Sequence, residues 1–446
     1  MNRLSALFLA LRYLFGSRRS SSSRIRSAVW GIGLSLIPLV LVLEISDGMI
    51  RGITDRFLET STYHLQAIHV GGGTPEAEGS LRRRIEEVPG VVHAWPERQG
   101  IALASASRGR VGVTVRAVAP EMYAQDQGFA RYLTVESGDF DLSGERGVVI
   151  GRAVADRLDV RAGDELRILT IRGRAGERVI PRVSTFTVRG VVSVGYQELD
   201  RLWVFISHAE GVRILPDDSS RDLLGIKITS PYALENPLTA PTGTNETRLL
   251  RGRIRDAATG TWRVLSWYDL EESRYVSFRT TKSLLGFIMA LIVVVAAVNV
   301  SSSLVVVVLE KQSEIAILKA TGARPGWVRD AFLYAGLIAG ALGAALGVAL
   351  GILLTMNINQ VLTILDRLGT AVQRVALWIA SPFLDGGVEP VDILPRDFYL
   401  ETIPISLNPG QLAAVWAFAA IVAVLAAVIP ARRAARLKPL EVMRRH

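Results

Sequence analysis

Residues 310–327 read Glu310-Lys-Gln-Ser-Glu-Ile-Ala-Ile-Leu-Lys-Ala-Thr-Gly-Ala-Arg-Pro-Gly-Trp327 and lie between two apolar segments, 284–309 and 332–354. Each segment has the roughly 20 residues that a helix needs to cross a bilayer. Because so short a link cannot extend far from the membrane, we expect it to be a contact for another protein on that side. The sequence therefore predicts the membrane subunit of a machine that a partner drives.

Two further apolar stretches occur at 27–49 and 412–429, whereas 51–281 is polar, glycine-rich and alternates like β-strands. We therefore predict a membrane α-helical protein with four transmembrane helices and a large mixed α+β domain between helices 1 and 2. The predicted segments are a cytoplasmic amphipathic helix at 1–26, spans at 27–50, 283–309, 332–355 and 411–430, a periplasmic domain at 51–282, a cytoplasmic link at 310–331, a periplasmic loop at 356–410 and a cytoplasmic tail at 431–446.

Basic residues flank the predicted spans. Six arginines and no acidic residue precede the first span, and six basic residues with one glutamate follow the last. Since positive charge marks the cytoplasmic side, both termini and the link are predicted to be cytoplasmic, and the large domain lies outside. The net charge of +9 thus reflects membrane orientation rather than a basic patch for nucleic acid. No small-residue cleavage site follows the first apolar stretch, so an uncleaved anchor is expected.

No catalytic or metal site is predicted from the residues. The chain has no cysteine, its five histidines lack zinc-type spacing, and it contains neither a phosphate-binding G-x-x-x-x-G-K-[S/T] loop nor a G-x-S-x-G motif. If the machine uses ATP, a partner subunit must therefore bind and hydrolyse it.

The link itself predicts a helix over Glu310–Ala320, with Ile315 and Leu318 on one side. Gly322 stands where a helix-terminating glycine belongs, and Pro325 suits the first turn of the next helix. Two interpretations stay open at this point: a membrane-surface hairpin of no special function, or a helix that docks in a groove of a motor subunit.

Several stretches carry a more specific signal. They are Gly286–Asn299 with Glu310–Gly322, the glycine-rich third span, Gly151–Leu166, Gly195–Ile206 and the C-terminal Ile429–Met443. These stretches resemble the LolC/LolE lipoprotein-releasing permeases, part of the wider FtsX/MacB-like class of ABC-transporter membrane subunits. The likeness extends over nearly the whole chain and is weakest at 235–260 and 356–400.

The resemblance implies a bacterial inner-membrane permease that acts with a second permease subunit, identical or different, and with two copies of a separate ATPase that uses Mg-ATP. It also implies a lipoprotein substrate and a periplasmic lipoprotein carrier. The predicted ATPase-coupling residues are Glu310, Lys311, Glu314, Ile315, Leu318, Lys319 and Gly322. Two alternatives are a MacB-type efflux permease and an FtsX-like scaffold that activates cell-wall hydrolases.

The outer end of the first span is a candidate lipoprotein-binding surface. Its apolar residues continue at helical spacing past the apolar core: Ile45, Met49, Ile50, Ile53 and Phe57. Packing against the second span would give the same pattern. Glu44 lies nearby, and we consider two roles for its carboxylate, binding a cationic group of the lipoprotein or simple solvation at the interface.

A basic segment in the outer domain matches by position the hairpin with which one family member holds the periplasmic carrier. The candidate carrier-binding residues are Arg172, Arg174, Arg178, Pro181 and Arg182. A solvated turn is the alternative. The same resemblance does not distinguish a LolC-like from a LolE-like role.

Overall fold

The structure is a computed structural model that describes residues 8–12, 21–69, 75–172, 180–217, 219–234, 245–258, 262–380 and 405–438. The described residues form two compact units. A helical unit lies within 1–50, 277–393 and 403–446, and a sheet domain lies within 51–276 and 394–402.

The helices are numbered in chain order. They are α1 (8–12), α2 (Ser21–Thr60), α3 (Pro75–Glu86), α4 (Met122–Gln125), α5 (Gln127–Tyr132), α6 (Arg152–Leu158), α7 (Gln197–Asp200), α8 (His208–Ile214), α9 (Asn245–Ala257), α10 (Trp267–Leu270), α11 (Glu272–Glu310), α12 (Gln312–Ala320), α13 (Pro325–Met356), α14 (Ile358–Ala380) and α15 (Pro409–Arg436). A short 3-10 helix covers Pro231–Leu234.

The strands all belong to the sheet domain. They are β1 (Leu65–His69), β2 (Val91–Ala106), β3 (Gly109–Val118), β4 (Thr134–Gly138), β5 (Gly147–Gly151), β6 (Glu165–Arg172), β7 (Ile180–Ser193), β8 (Trp203–Ser207), β9 (Ser220–Ile228) and β10 (Trp262–Ser266).

Four helices of the described chain are long and apolar enough to cross a membrane: α2, α11, α13 and α15. The sheet domain stands in sequence between the first of them and the other three, which confirms the predicted fold class. The predicted continuation of the first span past the apolar core is also confirmed, because α2 continues without interruption to Thr60.

Glycines of α13 bring the spanning helices close together. A Cβ atom on Gly343 would lie 2.7 Å from the carbonyl oxygen of Val29, and one on Gly347 would lie 2.6 Å from that of Gly33. Both carbonyls belong to α2, so α13 and α2 pack backbone to backbone where these glycines lie. The small-residue face of the third span is therefore a helix-packing surface, as is common between membrane helices.

The sheet domain is built on one ten-stranded mixed sheet with the order β10-β1-β9-β2-β3-β8-β5-β7-β4. Strand β6 pairs with both β2 and β7, so six of the strands form a closed path. The larger hydrophobic core of this domain joins residues of these strands and of two helices, among them Val115 of β3, Ile168 of β6, Val154 of α6 and Ile214 of α8. A second core packs α3 and α9 against β1 and β9.

Some elements differ from the sequence-based expectation. The proline, asparagine, threonine and glycine content of 235–247 predicts a loop or insertion, but α9 begins at Asn245, so the end of that segment is helical. Strand β9 was not predicted, because its last six residues are all buried and its sequence shows no alternation. The helix α14 lies within the segment predicted as the outer loop.

Candidate functional site

The link between the second and third spans contains a separate short helix. The helix α11 ends at Glu310, Lys311 interrupts it with φ −100° and ψ 14°, and α12 then begins at Gln312. At the other end, Gly322 has φ +100°, and the amide of Ala323 donates to the carbonyl of Leu318 at 2.9 Å. The positive φ and this hydrogen bond form a glycine-terminated helix end. The predicted roles of Gly322 and of Pro325, the first residue of α13, are confirmed.

Apolar side chains on α12 point in two directions. Ile315 is buried in a hydrophobic cluster with Val328 and Phe332 of α13 and Ala431 of α15. Ile317, which the sequence did not single out, is 54% exposed. The buried Ile315 therefore anchors α12 to its own chain, while Ile317 belongs to the face that another protein could contact.

Lys319 fastens α12 to the end of the fourth span. Its Nζ atom donates to the carbonyl oxygens of Ala435 at 2.9 Å and of Leu437 at 2.5 Å. These carbonyls end α15 and have no helical partner of their own, so a cation there is favourable. Lys319 thus connects α12 with the end of α15, two segments that are both predicted to be cytoplasmic, and it is not a free surface charge.

The other predicted coupling residues lie around this helix. Lys311 donates to Glu314 at 2.6 Å, and the Glu314 side chain remains 45% exposed. Leu318 is half-buried, and Glu310 is exposed at the end of α11. The outward face of α12 therefore combines an exposed carboxylate with the exposed Ile317.

The candidate lipoprotein-binding residues do not share one environment. Ile45, Met49 and Ile50 are half-buried, whereas Ile53 and Phe57 are buried. The Phe57 ring packs edge-on against Tyr196 at 5.9 Å between centroids. The burial of Ile53 and Phe57 is what packing within the chain would produce, so the half-buried three form the accessible part of the set.

Glu44 is buried rather than solvated. The whole residue is 1% exposed, and its Oε2 atom accepts a hydrogen bond at 3.2 Å from the amide of Asn408, the N-cap of α15. Its Oε1 atom has no hydrogen-bond partner among the described residues. Asp47, one turn further along α2, forms an ion pair with Lys282 of α11. The alternative that the Glu44 carboxylate is simply solvated at the membrane interface is therefore wrong.

The candidate carrier-binding segment is the connection between β6 and β7. Arg174 and Arg178 lie outside the described residues, and Arg172 is the last residue of β6. Pro181 is exposed and pairs with Ile171 across the two strands. Arg182 donates to the carbonyl of Arg213 at 2.6 Å, so this cation is held by its own domain.

A buried polar cluster at the end of α2 was not expected. Arg116 of β3 and Glu97 of β2 form a two-point ion pair, with Nε–Oε1 at 2.5 Å and Nη2–Oε2 at 2.7 Å. Arg116 also donates to the carbonyl of Thr60, and the Tyr63 hydroxyl donates to Glu97 at 2.5 Å.

A second cation lies at the same end of α2, because Lys227 of β9 donates to the carbonyl of Glu59 at 3.0 Å. Two cations of the sheet thus hold the last carbonyls of α2.

This cluster perturbs the titration of its members. Burial would raise the pKa of Glu97, but the charge and hydrogen bonds of Arg116 hold that pKa below its ordinary value. Burial, together with the charge of Glu97, raises the pKa of Tyr63 well above its ordinary value. The pair is therefore ionised and the phenol neutral at physiological pH.

Known proteins match both parts of the chain. Residues 28–235 match the family model described as MacB-like periplasmic core domain, and residues 286–439 match that described as FtsX-like permease C-terminal. The lipoprotein-releasing system transmembrane protein LolC of Xylella fastidiosa (strain 9a5c) is 26% identical over 440 residues, 98% of each chain. The LolE protein of Haemophilus influenzae is 24% identical over 448 residues, covering 98% of this chain and 99% of its own.

Among solved structures, the periplasmic region of MacB from Actinobacillus actinomycetemcomitans covers 49% of this chain and 95% of its own, at 11% identity. The TM-score of this match is 0.27. The family models match the first span with most of the sheet domain, and the three spanning helices that follow it. These matches show a permease of the FtsX/MacB-like class that is similar over its whole length to the LolC and LolE proteins.

Proposed function

We propose that this chain is the permease subunit of an ATP-driven complex that extracts acylated lipoproteins from the outer leaflet of the bacterial inner membrane. The full-length relatives are named as transmembrane proteins of lipoprotein-releasing systems. The observation that carries the proposal is α12, a short helix with an exposed outward face that is fastened to two spanning helices by Ile315 and Lys319.

The work to be done explains why such a machine needs ATP. Each methylene of an acyl chain buried in a bilayer is worth about 0.8 kcal/mol, so freeing a multiply acylated anchor costs on the order of tens of kcal/mol. Spontaneous release is then negligible, and an apolar surface must receive the acyl chains as they leave the lipid. Ile45, Met49 and Ile50 of α2 are our candidates for this surface, since they are apolar and only half-buried.

The energy enters through a separate pair of ATPase subunits, which bind and hydrolyse Mg-ATP in the cytoplasm. Their movement is passed to α12 through the face that carries Glu314 and Ile317. Because Ile315 packs against α13 and Lys319 binds the end of α15, a displacement of α12 shifts both spanning helices. In this scheme the permease is a non-catalytic subunit.

The remaining partners follow from the family. A second permease subunit, either identical or related, completes the membrane part, and a periplasmic carrier receives the lipoprotein. The basic β6–β7 connection is the candidate carrier contact. The orientation that this requires places the sheet domain in the periplasm and both termini in the cytoplasm, as the arginines before the first span and the basic residues after the last indicate.

Reconstitution tests the proposal directly. The chain, co-expressed with the ATPase and second permease of its own genome, is placed in liposomes with a fluorescent triacylated lipoprotein and a soluble carrier. We expect ATP-dependent transfer of the lipoprotein to the carrier. Transfer of a small hydrophobic compound without lipoprotein would instead favour efflux, and ATP-dependent activation of a cell-wall hydrolase without any transfer would favour signalling.

A further inference from the structure

The helix α14 begins almost where the third span ends. Asn357 is the one residue between α13 and α14, and its amide donates to the carbonyl of Leu354 at 3.2 Å. At the end of α13, Leu353 and Met356 are exposed and apolar, which is typical of side chains that face lipid. The first turn of α14 therefore follows directly on the exposed apolar end of the third span.

Apolar residues of α14 recur at alternating spacings of three and four residues: Ile358, Val361, Leu365, Leu368 and Val372. This spacing places them on one side of a helix. Ile358 is buried near α13, but Leu365, Leu368 and Val372 are 53%, 58% and 69% exposed. An apolar face is thus covered by the chain at its start and uncovered further along.

The apolar side is wider than the narrow seam of a two-stranded coiled coil. Leu362, Ile364 and Ala371 flank the row, so apolar residues cover about half of the helix circumference. Over residues 358–374 the opposite side carries the polar residues Asn359, Gln360, Thr363, Asp366, Arg367, Thr370, Gln373 and Arg374. A face of this width fits a flat apolar surface better than one partner helix.

We propose that α14 is an interfacial helix, which lies on the bilayer with Leu365, Leu368 and Val372 among the lipid acyl chains. Three observations favour lipid over a second protein as the cover of this apolar face. They are the direct continuation from a lipid-facing span, the breadth of the apolar side, and an arginine on the polar side that can contact lipid phosphates. This inference needs only the membrane topology and does not rest on lipoprotein release.

The absence of cysteine from the sequence permits a clean test on the full chain. Single variants L365C, L368C and V372C on the apolar side, with Q360C and T363C as matched controls, are spin-labelled. The labelled protein, in complex with its partners, is placed in nanodiscs of phosphatidylethanolamine and phosphatidylglycerol. Power saturation then compares collisions of each label with oxygen, which enters lipid, and with a nickel chelate, which stays in water.

We expect the ratio of oxygen to nickel collisions to be several-fold higher at the three apolar positions than at the two controls. Nickel collisions that dominate at all five positions would place α14 in water and overturn the proposal. Dipolar broadening at L365C or L368C between two labelled copies would assign the face to a second permease subunit and would also overturn it. All five labelled positions are exposed, so we expect the labels to leave the fold intact. ATP-dependent release, measured on the same samples, is a separate readout.

Discussion

The Nζ atom of Lys319 donates a hydrogen bond to the carbonyl oxygen of Ala435 at 2.9 Å. This contact joins the short helix α12 to the last turn of α15, two elements that are far apart in sequence. Since Ile315 already packs α12 into a cluster with residues of α13 and α15, the hydrogen bond gives α12 a second, polar connection to the fourth span. We infer that the lysine serves coupling within the permease rather than recognition of the ATPase.

The first prediction concerns this lysine. In K319M the methionine keeps most of the apolar stem, but the carbonyls of Ala435 and Leu437 lose their donor. We expect a loss of about 1–3 kcal/mol in stability and a fall in lipoprotein release that exceeds the fall in ATP hydrolysis. Thermal unfolding and paired transport and ATPase assays measure both. K311M is the matched control, because Lys311 contacts a partly exposed carboxylate and should change little; equal effects of the two variants would contradict the assignment.

The second prediction separates the two isoleucines of α12. I317E places a charge on the exposed face, so we expect it to leave the unfolding midpoint unchanged and to abolish co-purification of the ATPase. I315A removes buried side-chain atoms and should instead destabilise the permease by about 2–5 kcal/mol. If I317E retained the ATPase at wild-type stoichiometry, the docking face would have to lie elsewhere.

The helix α12 and its two ends show which features could be predicted from the sequence and which could not. The spans, the helix end at Gly322 and the start at Pro325 depend on local composition, so they were predictable. The direction of Ile315 and Ile317 was not, because a nine-residue helix with apolar residues on two sides packs according to distant helices.

In the sheet domain, the sequence likewise did not predict a contact between two charged residues. Glu97 and Arg116 look in the sequence like solvent-facing residues of two strands, yet the antiparallel pairing of β2 with β3 and the end of α2 enclose both of them. No local pattern signals such an ion pair, since its partners and its cover come from three separate elements.

The third prediction tests this ion pair. R116M leaves the carboxylate of Glu97 buried without its partner, and breaking a buried pair in this way costs about 3–5 kcal/mol. We expect a large drop in the unfolding midpoint of the full chain and loss of release. R213M is the matched control, because the pair of Arg213 with Glu210 is exposed on the arginine side and is worth at most about 1 kcal/mol. Similar midpoints for the two variants would refute a structural role for Arg116.

The fourth prediction concerns acid stability. Hydrogen bonds from Arg274 to Glu198, at 3.0 and 3.1 Å, lower the pKa of Glu198 below its ordinary 4.5. A carboxylate with a lowered pKa stabilises the fold above pH 4.5, and this stabilisation is lost as the pH falls from there through the folded-state pKa. We expect the unfolding midpoint of the wild type to fall more steeply below pH 4.5 than that of E198Q. Parallel curves would exclude this pair as a source of acid sensitivity.

The last prediction uses Glu44 to separate a role in stability from a role in lipoprotein binding. In E44Q the amide oxygen can still accept the hydrogen bond from Asn408, while the cost of a buried and partly unpaired carboxylate disappears. We therefore expect E44Q to raise the unfolding midpoint, and E44A, which leaves the Asn408 amide without its acceptor, to lower it. If the carboxylate binds a cationic group of the lipoprotein, E44Q also reduces release while ATP hydrolysis and complex assembly stay unchanged. Normal release by the stabilised E44Q variant would assign Glu44 to helix packing alone.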